Sequence, residues 1–197
     1  MRISASGSAR AALSGARRLG FQYECYRVLR LPLSGATQQP TPDLPPGFSF
    51  AEVTTDAVAG GRDALIRDCD WYGGSGAVGF ALRDTTSRIA CLQWYWFGSR
   101  YQSASFWPLS PTEAVSMQLV TLPEYRNRGL ATALKRLSAR SMADRGFTAL
   151  YSRIWWTNEP SLRVSAKAGW LRVGTLLRVS LPLRQEPITI AWESQTR

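Results

Sequence analysis

The chain has 197 residues, which is enough for one well-buried domain and short for two. Its hydrophobic share of 45% is ordinary for a globular protein and excludes wholesale disorder. No apolar run reaches the roughly 18 to 20 residues that a membrane helix needs, so no membrane span is expected.

The net charge is +10, and the basic residues are arginines except for Lys135 and Lys167. A basic field favours phosphate-bearing ligands. The chain has no histidine, so it lacks the commonest general base and metal ligand. The three cysteines are far apart and form no CxxC pair, so we predict no metal site and reduced thiols in a cytoplasmic protein.

The first 47 residues differ from the rest of the chain. Residues 1–20 are rich in Arg, Ser and Ala without any acid, which predicts a basic, flexible tail and is also typical of an organelle transit peptide. Residues 21–47 predict a strand, Phe21–Leu33, followed by a proline-rich connector whose role the sequence does not assign. Residues 48–197 predict one domain.

Hydrophobic periodicity predicts strands and helices that alternate irregularly along the chain. The predicted strands are Phe21–Leu33, Phe48–Val53, Ala77–Arg83, Ile89–Phe97, Ala114–Thr121, Ala149–Trp155, Leu171–Leu181 and Ile188–Glu193. The predicted helices are Asp56–Asp70 with Asp56 as its N-cap, Leu130–Arg145, and Pro160–Ala168. A hairpin is predicted at residues 84–87, and residues 98–111 read as irregular. This order predicts a mixed sheet with helices on its faces.

The most informative stretch is a strand that ends near Thr121, a turn, and a helix that begins close to Gly129. The first amide N–H groups of such a helix have no partner within it, and together with the helix dipole they form an anion site. Gly129 lets a phosphate approach the backbone, and Thr132, Arg126 and Arg128 add donors and positive charge. The stretch therefore predicts a phosphate-binding loop.

This loop resembles the acyl-CoA loop of the GNAT acyltransferase superfamily, written Q/R-x-x-G-x-G/A, with Arg126, Gly129 and Ala131 at its fixed positions. Asn158 and the run Lys167-Ala168-Gly169-Trp170 resemble two motifs that follow the loop in that family. The resemblance covers residues 114–170. It implies an α/β (α+β) GNAT fold, with a mixed, mostly antiparallel central sheet of six to seven strands, helices on both faces and a splayed acyl-CoA cleft.

The resemblance implies a cofactor, acetyl-CoA or another acyl-CoA, and the residues that would hold it. These cofactor-binding residues are Leu119, Val120, Thr121, Arg126, Asn127, Arg128, Gly129, Leu130, Ala131, Thr132 and Asn158. The implied activity is N-acyltransfer, most simply N-acetyltransfer, from CoA directly to an amine. The acceptor would be a small molecule or a peptide, and the protein a monomer or homodimer.

The sequence departs from the family at the expected acid and base. The family often has a tyrosine acid where this chain has Ser165, and many relatives carry a glutamate where it has Ser116. We therefore name Ser165 and Glu113 as catalytic candidates, with Glu52 as a second candidate for the base.

The aromatic run Trp94-Tyr95-Trp96-Phe97 predicts a strand with both tryptophans on one face. These rings are either core or, together with Trp155, an aromatic wall that binds the substrate. Two further functions stay open. One is a degenerate domain that binds acyl-CoA without turnover, and the other is a basic nucleic-acid-binding module, which the scattered arginines and the lack of a recognition motif disfavour.

Overall fold

A computed structural model describes residues 22–34, 43–181 and 187–193. The predicted basic tail and most of the proline-rich connector lie outside these residues. The described strands are β1 (Gln22–Pro32), β2 (Phe48–Val53), β3 (Ala77–Asp84), β4 (Ile89–Trp96), β5 (Glu113–Thr121), β6 (Ala149–Trp155), β7 (Leu171–Ser180) and β8 (Ile188–Glu193). The α-helices are α1 (Thr55–Ala59), α2 (Ala64–Arg67), α3 (Gly98–Gln102), α4 (Leu130–Asp144) and α5 (Glu159–Lys167). No described helix is long and apolar enough to cross a membrane.

The strands form one sheet in the order β2-β3-β4-β5-β6-β1-β7-β8. All neighbours are antiparallel except β5 and β6, which run parallel. The predicted mixed, mostly antiparallel sheet is confirmed. It has eight strands rather than six to seven, because β1 inserts between β6 and β7.

Both faces of the sheet are covered, and the alternation of strand side chains decides which core each residue joins. One core lies under α4 and α5 and includes Tyr95 and Leu150. On the opposite face, Trp94 joins the core beneath α1 and α2, and Trp96 joins a third core with Tyr101 of α3. The predicted placement of the two tryptophans on one face is therefore confirmed.

One helix prediction was wrong. The chain forms α1, α2 and a short 3-10 turn (Asp70–Tyr72) where the sequence predicts a single helix, Asp56–Asp70. Two consecutive glycines, Gly60 and Gly61, follow α1, and glycine is a poor residue for a helix interior. The N-cap is Thr54 rather than Asp56, since the Thr54 hydroxyl accepts from the Ala57 N–H.

Candidate active site

The central feature of the sheet is a gap between its two parallel strands. β5 and β6 are in register only from Glu113 opposite Ala149 to Ser116 opposite Ser152. Beyond that point, within the described part of the chain, β5 pairs only with β4, and β6 pairs only with β1. A bulge in β5 lies at this position, because Trp94 is opposite Gln118 while Tyr95 is opposite Ser116. The strands therefore diverge and leave a cleft through the sheet.

The predicted phosphate loop lies between the end of β5 and the start of α4. Two of its residues adopt left-handed backbone conformations, Asn127 with φ 62° and Gly129 with φ 77°. A side chain at Gly129 would be strained by this φ although no atom stands in its way, which explains the glycine. The Arg126 Nε donates to the Thr121 carbonyl at 3.2 Å, so this side chain ties the loop to the end of β5.

A second anchor holds the turn before the loop. The Tyr125 hydroxyl donates to Asp84 at 2.5 Å, and this hydrogen bond, the largest cause, lowers the pKa of Asp84 to about 2. The Arg128 guanidinium lies over the Tyr125 ring, 5.6 Å from its centroid. The loop is therefore fixed from the β3–β4 hairpin as well as from β5.

A cavity of about 520 Å³ lies in front of the loop. It is lined by every predicted cofactor residue except Arg128 and Asn158, and also by residues of α2 and α5. Its lining includes three cations and no carboxylate; the cations are Arg126, Arg163 and Lys167. With the free N–H groups at the start of α4, these side chains create a positive surface suited to phosphates.

A smaller cavity of about 170 Å³ occupies the gap between β5 and β6. Leu119 and Ser161 line both cavities, so the two are neighbours along one groove. Asn158 lines the smaller cavity, and its side chain caps α5 by accepting from the Ser161 N–H at 3.2 Å. The groove thus leads from the loop into the cleft through the sheet.

Ser165 and Lys135 both belong to the lining of the smaller cavity. Ser165 is fully buried, and its Oγ has no hydrogen-bond partner in the part of the chain that the structure describes. Lys135 is 2% exposed, and its Nζ lies 4.0 Å from the centroid of the Trp170 ring. Burial lowers the pKa of Lys135 to about 7. The lining of the cleft therefore contains a buried amine and a buried hydroxyl that has no hydrogen-bond partner among the described residues.

The candidate bases do not line the cleft cavity. Glu113 lies at the paired end of β5, where it accepts from the Ser110 N–H at 2.9 Å and lies 3.9 Å from Arg30. Glu52 forms an ion pair with Arg145. Ser116 does line the cavity, but its hydroxyl accepts from the buried Gln93 amide at 2.6 Å. The structure thus brings the candidate acid Ser165 into the cleft and leaves both carboxylates outside it.

The three tryptophans proposed for substrate binding lie in different environments. Trp94 is 2% exposed and packs on Gly79 within the core. Trp96 is also buried and lies under the Arg100 guanidinium, which is 4.6 Å from its ring centroid. Trp155 is half-buried, lines the cleft cavity and packs edge-on against Tyr26. Among these three tryptophans, Trp155 alone lines the cleft.

Two cleft residues were not singled out from the sequence. Arg153 reaches the face opposite α4, and its guanidinium lies 5.0 Å from the Tyr26 ring and 4.9 Å from the Phe106 ring. Lys135 follows Ala131 by four residues and precedes Ser138 by three, so helical spacing alone places it along the buried side of α4. This spacing was the signal available in the sequence. It places a lysine among buried positions of the helix, which is unusual because lysine is rarely buried without a partner.

Comparisons with known proteins agree with this architecture. A model of the acetyltransferase (GNAT) family matches residues 49–170. A putative GNAT acetyltransferase from Novosphingobium aromaticivorans is 19% identical with a TM-score of 0.53, over 88% of this chain and 66% of that chain. A tandem GNAT protein from the clavulanic acid biosynthesis pathway is 17% identical with a TM-score of 0.55, over 98% of this chain and 59% of that chain. No match was found among curated proteins.

A third similar structure is a GCN5-related N-acetyltransferase from Sphaerobacter thermophilus, which is 14% identical with a TM-score of 0.56 over 88% of this chain. The present chain spans 57% to 66% of the length of these three solved chains. At such identities the likeness concerns the fold.

Proposed function

Because the chain belongs to the GNAT acetyltransferase family, we propose that it transfers an acyl group, most simply acetyl, from acyl-CoA to an amine. The observation that carries this proposal is a pair of neighbouring cavities, one at the predicted phosphate loop and one between β5 and β6, which share Leu119 and Ser161 in their linings. Acyl-CoA supplies the activated thioester, and the chain supplies binding and orientation.

The residues present fit such a donor. The start of α4 offers unpaired N–H groups, and Arg126, Arg163 and Lys167 add charge without a competing carboxylate in the lining. After Ser116, the edge of β5 that faces β6 has no strand partner among the described residues. Its backbone groups at residues 119–121 are therefore available to hold an extended amide-bearing arm and to donate to a thioester oxygen.

The acceptor would enter from the other face of the sheet. Met117, Arg153 and Trp155 line the cleft cavity from that side, since Arg153 and Trp155 contact rings opposite α4. We propose a small-molecule or peptide amine as the acceptor. Cytoplasmic location and a monomeric or homodimeric state stay predictions of the sequence.

The test is calorimetric titration of acetyl-CoA into the full-length protein, its Arg126→Ala variant and a matched control, Arg178→Ala. Arg178 lies on β7 and pairs with Glu24, away from the loop. We expect Arg126→Ala to weaken binding about tenfold, the equivalent of about 1.4 kcal/mol for one exposed charge-assisted contact. Equal affinities for the two variants, or no binding by the wild type, would contradict the proposal.

Turnover is measured separately, as release of free CoA thiol with a panel of amines. Binding without release for any amine would support the degenerate domain instead. Tight binding of RNA or DNA that falls steeply with salt, without binding of acetyl-CoA, would support the nucleic-acid module.

A further inference from the structure

Lys135 is the buried charged residue that the proposed function leaves without a role. It lies on α4, in the second turn after the phosphate loop, and is one of only two lysines in the chain. Its side chain lines the cleft cavity together with Ser165, Ser116 and Ser152. A lysine fully withdrawn from water without a carboxylate partner is costly, so its retention at this place calls for a function.

The surroundings of Lys135 come from several elements. From β4 the thiol of Cys91 faces it, and Tyr95 on the same strand is occupied by a 2.8 Å hydrogen bond with Ser138. Its Nζ lies over the Trp170 ring, after α5, and it shares the cavity lining with Ser165 of α5 and with Ser152 and Arg153 of β6. Lys135 forms no ion pair within the described residues.

Lys135 lines the cavity between β5 and β6, where the thiol of the proposed donor would need an acid. At position 165, where the family often has an acidic tyrosine hydroxyl, this chain has a serine, which is a poor acid. Ser165 lines the same cavity as Lys135, and its Oγ has no hydrogen-bond partner among the described residues. A lysine ammonium can donate three hydrogen bonds, and burial lowers the pKa of Lys135 to about 7, so at neutral pH it both holds and releases a proton.

We propose that Lys135 is the acid that protonates the coenzyme A thiolate as the acyl group is transferred, an inference that rests on the proposed function. The acceptor nitrogen forms a bond to the thioester carbonyl carbon, and the carbon–sulfur bond breaks with its electron pair going to sulfur. A proton passes from the Lys135 ammonium to sulfur, while the acceptor amine loses its proton to solvent. Solvent then reprotonates Lys135, so the products are the amide and the free thiol.

The test is the pH profile of kcat for the wild type, Lys135→Met and Lys135→Gln. In the wild type, kcat should fall as the pH rises through the pKa of Lys135, because only the ammonium can donate. Lys135→Met should lower kcat by about 100-fold or more, the usual contribution of a general acid, and should lose this limb of the profile. Its affinity for acetyl-CoA should stay within about twofold, which shows that the groove is intact.

A second measurement separates proton donation from a structural role. An aryl thioester with the same acyl group has a less basic leaving thiolate, which departs without help from an acid. Lys135→Met should therefore recover most of its lost kcat with the aryl thioester. A misfolded cleft would instead keep a low kcat with both donors. The matched control is Arg178→Met, which removes a cation on β7 outside the lining of both cavities and should keep the wild-type pH profile.

Three results would overturn the inference. The acid role is contradicted if Lys135→Met keeps the wild-type kcat and pH profile. It is also contradicted if the variant loses kcat equally with both thioesters. Transfer of the acyl group to Lys135 itself, seen by mass spectrometry without an acceptor, would make the residue a nucleophile instead. Failure of the wild type to bind acetyl-CoA or to release thiol would count against the proposed function, not against Lys135 alone.

Discussion

At the scale of single residues, the buried amine of Lys135 makes stability depend on pH. Burial lowers the pKa of Lys135 in the folded protein to about 7, whereas the unfolded chain has a lysine pKa of about 10.4. Between these two values the unfolded state binds more protons, so this residue's contribution to the free energy of unfolding rises with pH. Below about pH 7 both states are protonated, and the full cost of the buried ammonium is present.

Lys135→Met should therefore be more stable than the wild type at pH 6, by an amount on the order of a few kcal/mol. This difference in the free energy of unfolding should narrow as the pH approaches 10, because Lys135 is then neutral in the folded wild type. Urea unfolding of both proteins at pH 6, 8 and 10 measures this difference. Parallel pH dependences would show that Lys135 is not buried as described.

Gly79 and Trp94 illustrate how single residues shape an element. They lie directly opposite each other on β3 and β4, and a Cβ on Gly79 would come within 2.7 to 2.8 Å of three atoms of the Trp94 ring. Trp94 is 2% exposed, so the ring has little room to move. The glycine is thus the reason why a tryptophan fits against the neighbouring strand.

At the scale of elements, Gly79→Ala should overpack the β3–β4 pair and lower the free energy of unfolding by about 1 to 3 kcal/mol. The double variant Gly79→Ala with Trp94→Leu removes the ring that the new methyl would strike. In a double-mutant cycle followed by thermal unfolding, the two changes should be strongly coupled. Additive effects would mean that the ring does not lie over Gly79.

The whole molecule depends on a strand from outside the segment that the family model matches. β1 pairs with β6 over Tyr26–Pro32 and with β7 over Gln22–Arg30, and its Val28 is fully buried. Without β1, the strand β6 beside the cleft would lose the only neighbour that it has beyond Ser152 among the described strands. The N-terminal strand is therefore part of the sheet that holds the site.

Val28→Asp should prevent stable folding, since an uncompensated buried charge costs about 3 to 5 kcal/mol, a large share of the total stability of a domain. The matched control is Ile190→Asp on the edge strand β8, where the side chain is 49% exposed and the change should cost little. Circular dichroism and chemical unfolding compare the two. Equal losses would contradict the central position of β1.

The sequence alone determined the strand, turn and helix start of the predicted phosphate loop, because their signal is local. A strand, a left-handed glycine and a helix start lie within a few consecutive residues, and helical and strand periodicity set the faces of α4 and β4. Its resemblance to the family also indicated that Ser165 and Ser116 occupy the positions where relatives often carry the acid and the base.

Only the tertiary structure decided what surrounds those serines. The insertion of β1 between β6 and β7 depends on pairing between residues far apart in the chain. The presence of Lys135 and Ser165 in the lining of one cavity depends on the packing of α4 and α5. Similarly, the burial of Trp94 depends on a glycine of the neighbouring strand. Residue type and spacing describe what a segment can form, whereas the cost of burying a charge and the room beside a ring arise only when segments pack together.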